Sequence, residues 1–310
     1  REGGYDNIEL VAVNGPAPTQ THQHLLSYDS IHGFFDGVTI TGEDELTIDG
    51  MGSVKVFHER DPLNLPWKDL GVDVVMECTG IFKKRDDAAK HLEAGAKRVL
   101  ISAPAPDPDN TIVHGVNNDT LTADHQVISV GSCTTNCLAP VAKVLHDNIG
   151  VERGYMTTIH AYTNDQNIID NSHKDMRRAR AAAMSMIPTS TGAAKALALV
   201  IPELEGKLDG SAMRVPTANV SCVDLAFTAS RETTADEIHE LMRAAASGPM
   251  KGVLAVSDLP LVSIDYNHNP HSSIFDTTGT KVIDGKFVRV MAWYDNEWGF
   301  SNRMLDLVAG

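Results

Sequence analysis

The sequence predicts an α/β protein of two domains: a doubly wound domain with a parallel sheet, followed by an α+β domain with a largely antiparallel sheet. In residues 1–132, continuous apolar runs alternate with helical stretches, a pattern typical of parallel strands that are covered on both faces. In residues 133–296, runs rich in β-branched and aromatic residues are separated by helices, which indicates a different sheet. Residues 297–310 are predicted to form a helix that packs on the first domain. The boundary between the domains is therefore expected directly after Ser132.

Each domain has its own predicted elements. The first has predicted strands at residues 8–13, 72–78, 98–102 and 126–130 and a predicted helix at residues 85–96. The second has predicted strands at residues 155–162, 211–215, 220–228 and 287–294 and predicted helices at residues 191–200 and 235–247. A chain of 310 residues is long enough to give both domains a well-buried core.

Charge and composition exclude several classes of function. The formal net charge is −15 at pH 7, which repels nucleic acids and anionic membranes. No run approaches the roughly 18 apolar residues that a membrane span needs, and no signal peptide is visible. Four cysteines are too few for a disulfide framework in a chain of this length, so a reduced, cytoplasmic location is predicted. We expect neither a nucleic-acid partner nor a membrane partner.

The most informative cysteine is Cys133. Ser132 before it is a good N-cap, which places Cys133 in the first turn of a helix that continues through an apolar segment at residues 138–145. Unpaired amide groups and the helix dipole stabilise a thiolate there, and a nearby imidazole would lower the thiol pKa further and act as an acid or base. Cys137, one turn deeper, is predicted to be a packed core thiol. The alternative for Cys133 is a buried structural cysteine, the commoner role of this residue type.

A metal site at these two cysteines is not predicted. Cys133 and Cys137 lie four residues apart, but no Cys-x-x-Cys pair and no pair of spaced histidines accompanies them.

The string SCTTNCLAP at residues 132–140 resembles the active-site signature of glyceraldehyde-3-phosphate dehydrogenases. The resemblance continues through HAYT at residues 160–163, RRAR at 177–180, STGAAK at 190–195, RVPTANV at 214–220 and WYDNE at 293–297. These blocks are specific in combination, whereas each of them alone is not.

The resemblance implies a role for each matching residue. Cys133 matches the nucleophile, whose thiolate attacks glyceraldehyde 3-phosphate, and His160 matches the base. Hydride then passes to a nicotinamide, and inorganic phosphate cleaves the thioester to give 1,3-bisphosphoglycerate. Thr163 and Arg214 match the site of the substrate phosphate. The attacking phosphate has matching residues at Ser132, Thr134, Thr191 and Gly192, with Arg178 shared or nearby.

The cofactor site has a gap in this sequence. The family opens with a strand and a Gly-x-Gly-x-x-Gly turn that holds the pyrophosphate of a dinucleotide, and neither is present here. We therefore expect the sequence to be a fragment, which by itself binds dinucleotide weakly and aggregates readily. The residues that match other cofactor contacts are Asn14, Gly15, Arg60, Thr79, Gly80, Ser102, Asn164 and Asn296.

Gly15 bears on the choice between NAD and NADP. The family usually has an acidic residue here, which binds the adenosine ribose diol and repels a 2′-phosphate. Glycine removes both effects, so the use of NAD and NADP alike is expected. The nearest candidates to contact a 2′-phosphate are Thr19, Thr21 and His22.

Three other functions remain open from the sequence. The first is the related erythrose-4-phosphate dehydrogenase, which the stretch DYNHNPH at residues 265–271 partly resembles. The second is a non-catalytic interaction protein on the same scaffold. The third is a Cys–His hydrolase, which needs no dinucleotide. The resemblance also implies a homotetramer, with residues 164–188 near a subunit interface.

Overall fold

The computed structural model describes residues 4–310, and the chain forms two compact units. The first unit contains the chain up to Asn110 together with Thr122–Val130 and Met304–Gly310. The second contains Thr111–Leu121 and Gly131–Arg303. The sequence analysis placed one boundary after Ser132 and assigned all preceding residues to the first domain. Residues 111–121 instead group with the second unit, because Val113 is fully buried in its core.

The first unit contains short strands and two helices. In chain order they are β1 Ala12–Asn14, α1 Thr19–Ser27, β2 Tyr28–Asp29, β3 Gly33–Phe34, β4 Val38–Gly42, β5 Glu45–Ile48, β6 Gly52–Phe57, β7 Val74–Glu77, α2 Arg85–Glu93, β8 Arg98–Ile101, β9 Asn110–Thr111 and β10 Val127–Ser129. One sheet has the order β7-β8-β10-β9, in which β7, β8 and β10 are parallel. A second sheet has the order β1-β6-β5-β4, in which only β1 and β6 are parallel.

The predicted parallel strands at residues 72–78, 98–102 and 126–130 are confirmed as β7, β8 and β10, with helix α2 packed on them. Ala88 of α2 meets Val99, Ile101 and Val127 in a common core. Apolar runs between helices therefore identified the buried parallel strands, since both faces of such strands are covered.

The first predicted strand was too long, and the antiparallel strands were not predicted. The apolar run at residues 8–13 becomes a strand only at Ala12, because β6 offers paired partners only to residues 12–14. Strands β4 to β6 form an antiparallel ribbon that buries Leu46 and Val54 on one face. The first unit thus combines parallel and antiparallel strands.

The second unit is built around one seven-stranded sheet. Its elements are α3 Cys133–Ile149, β11 Val151–Ala161, β12 Ile187–Ser190, α4 Ala193–Val200, β13 Leu208–Val215, β14 Ser221–Ala229, α5 Ala235–Ser247, β15 Leu254–Ser257, β16 Ser273–Ile283 and β17 Phe287–Tyr294. Helix α6, Trp298–Ala309, follows and matches the predicted C-terminal helix. The strand order is β12-β13-β11-β14-β17-β16-β15, in which β11 and β13 are parallel, β15 and β16 are parallel, and the other pairs are antiparallel. The largely antiparallel sheet is therefore confirmed.

Helix α3 packs along the centre of this sheet. Most of its side chains are buried, and Leu138 and Leu145 are completely enclosed in the same core as Met156 and Phe275. Its packing fixes the position of its first residue, Cys133, at one end of the sheet. None of the helices formed by residues 4–310 is long and apolar enough to cross a membrane.

We predict that Leu145→Ala lowers the free energy of unfolding by about 2–5 kcal/mol, because it removes a fully buried side chain and leaves a cavity in the core of the second unit. Chemical denaturation measures the change. The control is Leu259→Ala, at a leucine that is 60% exposed. Equal losses at the two positions would contradict the proposed core.

Candidate active site

Cys133 begins helix α3 as the sequence predicted. Gly131 turns the chain with a φ of 70°, and Ser132 adopts an extended conformation as the N-cap. The Ser132 Oγ accepts a hydrogen bond of 3.0 Å from the amide of Thr135. The thiol therefore lies at the positive end of the helix dipole, among amide groups of the first turn.

His160 lies near the end of β11 and faces the thiol. Its Nε2 is 3.6 Å from the Cys133 Sγ, and its Nδ1 is 2.7 Å from the carbonyl oxygen of Ala161. A carbonyl oxygen can only accept, so Nδ1 carries the proton and the Nε2 lone pair faces the sulfur. His160 is therefore held in the tautomer that can accept the thiol proton.

Burial determines the charge state of this pair. The pKa of His160 is lowered to about 4, first by burial and then by the charge of Arg214, so the imidazole is neutral at pH 7. Burial also raises the pKa of the Cys133 thiol, against the opposing effects of Arg214 and of Thr134. The sequence analysis expected a lowered thiol pKa, which is wrong for this state because desolvation outweighs the helix terminus. At rest, a neutral thiol faces a neutral base.

Arg214 supplies the positive charge of the site. Strand β13 runs parallel to β11 in a register that aligns Arg214 with His160. The Arg214 Nη1 donates to the carbonyl oxygen of Ala161 at 2.8 Å and lies 3.5 Å from the Oγ1 of Thr163. Its Nε is enclosed without an acceptor, and its Nη2 has none within residues 4–310. One edge of the guanidinium is thus left for an anion, the geometry that binds phosphate in two contacts.

Tyr294 is a site residue to which the sequence analysis gave no role. Its hydroxyl lies 2.8 Å from the Oγ1 of Thr134 and 2.9 Å from the Oγ1 of Thr158. Its ring meets the edge of His160, with centroids 5.9 Å apart. Tyr294 thereby holds two groups in place, which are Thr134, directly after the nucleophile, and the imidazole of His160. The feature of the sequence that could have identified Tyr294 was its position in the WYDNE block, which served only to establish the resemblance to the family.

The other predicted phosphate residues are less closely joined to the thiol. Arg178 forms an ion pair with Asp165 and donates to the Oγ1 of Thr189 at 2.8 Å, so its charge is already compensated. Thr191 accepts a hydrogen bond of 3.2 Å from the amide of Ala193. Gly192 is the N-cap of α4, which begins two residues later than predicted. Among residues 4–310, Thr191 and Arg178 make no hydrogen bond to Cys133, His160 or Arg214.

The predicted cofactor residues of the first unit lie where strands end. Thr79 and Gly80 follow β7, and Ser102 follows β8. Both the amide and the hydroxyl of Thr79 donate to the buried carboxylate of Glu77, and Gly80 has a φ of 71°. Strand ends with exposed backbone groups are where parallel sheets bind nucleotides.

Asn14 and Gly15 follow β1. The Asn14 side chain is occupied at both ends by the backbone of Glu59, so it joins β1 to the end of β6. The carbonyl oxygen of Gly15 lies 3.3 Å from the Nε2 of His22 and 3.2 Å from the Nδ1 of His58. Arg60 is tied through its amide to the carboxylate of Glu59. These contacts fix the backbone where β1 and β6 end.

The two remaining predicted cofactor residues belong to the second unit. The Oδ1 of Asn296 accepts a hydrogen bond of 2.9 Å from the Ser221 hydroxyl. Asn164 is exposed and, within the described chain, makes no side-chain hydrogen bond. No cluster of three or more metal-ligating side chains occurs among residues 4–310.

We predict that brief iodoacetamide treatment at pH 7 labels Cys133 ahead of the other cysteines. Cys133 has an imidazole base, the His160 Nε2, 3.6 Å from its sulfur. Cys137 and Cys222 are buried with raised thiol pKa values, about 12 for Cys222, and burial, together with the carboxylate of Glu77, raises the pKa of the Cys78 thiol. Peptide mapping measures the label. Labelling of Cys133 should increase as the pH rises above 7, because its own thiol pKa is raised.

The matched variant is His160→Asn, which removes the proton acceptor and should slow labelling of Cys133 but not of Cys78. Equal labelling of all four cysteines would contradict the role given to this site.

Two family models match the chain. The C-terminal domain of glyceraldehyde 3-phosphate dehydrogenase matches residues 132–296, and the NAD binding domain of the same enzyme matches residues 4–85. The chain is 61% identical over 305 residues to glyceraldehyde-3-phosphate dehydrogenase of Xanthobacter flavus, covering 98% of this chain and 91% of that protein. It is 58% identical to the proteins of that name from Cereibacter sphaeroides and Geobacillus stearothermophilus, covering 98% of this chain in both cases and 91% and 90% of those proteins. The chain therefore belongs to the glyceraldehyde-3-phosphate dehydrogenase family.

Proposed function

We propose that this protein oxidises D-glyceraldehyde 3-phosphate to 1,3-bisphosphoglycerate, with inorganic phosphate as the second substrate. The observation that carries the proposal is the set of contacts that joins the Cys133 Sγ to His160 and, through the carbonyl oxygen of Ala161 to which both donate, links His160 to Arg214. It combines a nucleophile, a neutral base and a phosphate-binding cation within one unit. The relatives that carry this enzyme's name add support over nearly the whole chain. The reaction belongs to glycolysis and gluconeogenesis.

The first half of the reaction joins the aldehyde to the enzyme. The His160 Nε2 takes the Cys133 proton, and the thiolate forms a C–S bond to the aldehyde carbon. The imidazolium returns its proton to the new alkoxide, which gives a hemithioacetal. His160 then accepts that hydroxyl proton as the hydride leaves the carbon, so the product on Cys133 is a thioester. When bound, the oxidised nicotinamide supplies the hydride acceptor.

The second half releases the product. A phosphate oxygen attacks the thioester carbon, the C–S bond breaks, and Cys133 leaves as a thiolate that is reprotonated by His160. The Arg214 edge and Thr163 anchor the phosphate of the aldehyde, which keeps the reacting carbon at the sulfur through both steps. Ser132, Thr134, Thr191 and Gly192 are assigned to the attacking phosphate, with Arg178 adding positive charge nearby.

NAD and NADP are both proposed as oxidants. The strand-end residues of the first unit include Gly15 and Gly80, where a dinucleotide can approach the backbone closely, and Asn296 of the second unit has an amide donor without an acceptor among residues 4–310. At Gly15 the space of a side chain is filled by His22, because a Cβ there would lie 2.6 Å from the ring. No carboxylate at this position repels a 2′-phosphate.

A homotetramer is proposed as the working form. The segment at residues 164–188 exposes five large apolar side chains, which are Ile168, Ile169, Met176, Met184 and Met186. Such a concentration is typical of a surface covered by a partner, here a second copy of the chain.

A cytoplasmic location is proposed as well. All four cysteines are free thiols, as is typical of proteins in the reducing cytoplasm; they are Cys78, Cys133, Cys137 and Cys222.

We predict that absorbance at the reduced-nicotinamide band rises when glyceraldehyde 3-phosphate, NAD and phosphate are supplied together. Arg214→Leu should raise KM for the aldehyde and lower kcat, because it removes the anchor of the substrate phosphate. His160→Asn should lower kcat by roughly 100- to 10,000-fold, the usual contribution of an acid–base group. Erythrose 4-phosphate serves as the comparison substrate. Faster turnover of that aldehyde, or turnover independent of phosphate, would contradict the proposal.

A second prediction concerns cofactor choice. Gly15→Asp combined with His22→Asn, which makes room for the new side chain, should shift kcat/KM towards NAD over NADP by about tenfold or more, because the carboxylate repels the 2′-phosphate. The control is Gly15→Asn combined with His22→Asn, which introduces the same bulk without the negative charge and should shift the ratio much less. A starting protein that favours NAD by more than about a hundredfold, with no change in the double variant, would show that this position does not decide the preference.

A further inference from the structure

Asn296 lies between β17 and α6, with its side-chain amide held at one end only. Its Oδ1 accepts the hydrogen bond of 2.9 Å from the Ser221 Oγ. Its Nδ2 has no acceptor among residues 4–310, yet it is not among the fully enclosed polar atoms. The Nδ2 group therefore keeps two N–H donors that no acceptor among residues 4–310 occupies, although the residue is only 9% exposed.

The direction of the bond to Ser221 is set by a third group. The amide of Ala161 donates to the Ser221 Oγ at 3.0 Å, and a backbone N–H can only donate. The Ser221 hydroxyl proton is therefore available for the Oδ1 of Asn296. If the Asn296 amide flipped, its Nδ2 would face that proton, and the enclosed hydroxyl would lose its acceptor. Only one orientation of Asn296 satisfies the whole chain of bonds.

The backbone of Ala161 connects this chain of bonds to the catalytic pair. Its carbonyl oxygen accepts from the His160 Nδ1 at 2.7 Å and from the Arg214 Nη1 at 2.8 Å. Its N–H donates to the Ser221 Oγ. The two backbone groups of this one residue therefore hold the base, the phosphate-binding cation and, through Ser221, the Asn296 amide.

The backbone before Ser221 is strained. Val220 has a φ of 67°, a left-handed conformation that a β-branched residue rarely adopts. The residue is buried, so the strain is maintained by its surroundings. The turn at Val220 starts β14 in the position that places the Ser221 hydroxyl between Ala161 and Asn296.

We propose that Ser221 is a positioning residue that fixes the Asn296 amide with its N–H donors outward, so that Asn296 recognises the carbonyl oxygen of the nicotinamide carboxamide. The proposal rests on the proposed function, in which Asn296 binds the nicotinamide. The Ser221 hydroxyl thus orients the cofactor through Asn296, and it contacts neither the cofactor nor the reacting atoms. Its hydrogen bond holds the Asn296 amide in the binding orientation before the cofactor binds.

The test compares two ligands that differ only in the nicotinamide. Calorimetry gives Kd for NAD and for ADP-ribose, which lacks the nicotinamide ring, on the full-length protein and on its Ser221→Ala variant. The variant should weaken NAD binding about three- to tenfold, the effect expected for one lost hydrogen bond, and leave ADP-ribose binding unchanged. The control is Ser273→Ala, at another fully buried serine of the same sheet, whose hydroxyl contacts Cys137 instead.

Each outcome of this binding experiment either supports or overturns the proposed role of Ser221. A loss confined to NAD in Ser221→Ala, absent in Ser273→Ala, supports the proposal. Equal weakening of both ligands means that Ser221 has only a structural role, and no change in either ligand means that it has no role in binding; both results overturn the proposal. If Ser221→Ala does not fold, Ser221→Cys retains a weak donor and should show a smaller loss confined to NAD. A starting protein that binds neither ligand overturns the proposed function and this inference with it.

Discussion

The active site depends on the parallel pairing of β11 with β13. This pairing aligns His160 with Arg214 and lets both donate to the carbonyl oxygen of Ala161. The shared acceptor fixes the tautomer of the imidazole and the direction of the guanidinium together. Helix α3, packed on the same sheet, brings the Cys133 sulfur to the free side of the imidazole. A shift of one residue between the strands would move His160 or Arg214 to the other face of the sheet.

Burial gives this arrangement its chemical character. Low dielectric surroundings keep His160 neutral and raise the pKa of the thiol, so the resting pair holds its proton on sulfur. Arg214 remains charged without a carboxylate partner within hydrogen-bonding distance, an arrangement that is costly unless an anion is to be bound. Arg178 of the same unit differs from Arg214, because the carboxylate of Asp165 compensates its charge. This difference is why we propose Arg214 as the anchor for a substrate anion and Arg178 as a supporting charge.

The first unit shows a different use of polar contacts. At the ends of its strands, side chains such as Asn14 and Glu77 bond to neighbouring backbone rather than projecting freely. These bonds hold the strand-end turns rigid, which leaves backbone groups and glycines to approach a ligand. A Cβ at Gly15 would lie 2.6 Å from the His22 ring, so a side chain at this position requires that ring to move.

The sequence alone determined the features that arise within a few residues. The Ser132 cap, the helix start at Cys133, the buried parallel strands and the family to which the motifs belong were all predicted correctly, since caps and apolar runs are local. The tertiary structure alone decided the raised pKa of the Cys133 thiol, the role of Tyr294 and the bond from Ser221 to Asn296. Burial and strand register bring together residues that are far apart in the chain, and neither is written in a local pattern. The chemistry of the site is therefore encoded in its motifs, but its charge state and orientation are set by packing.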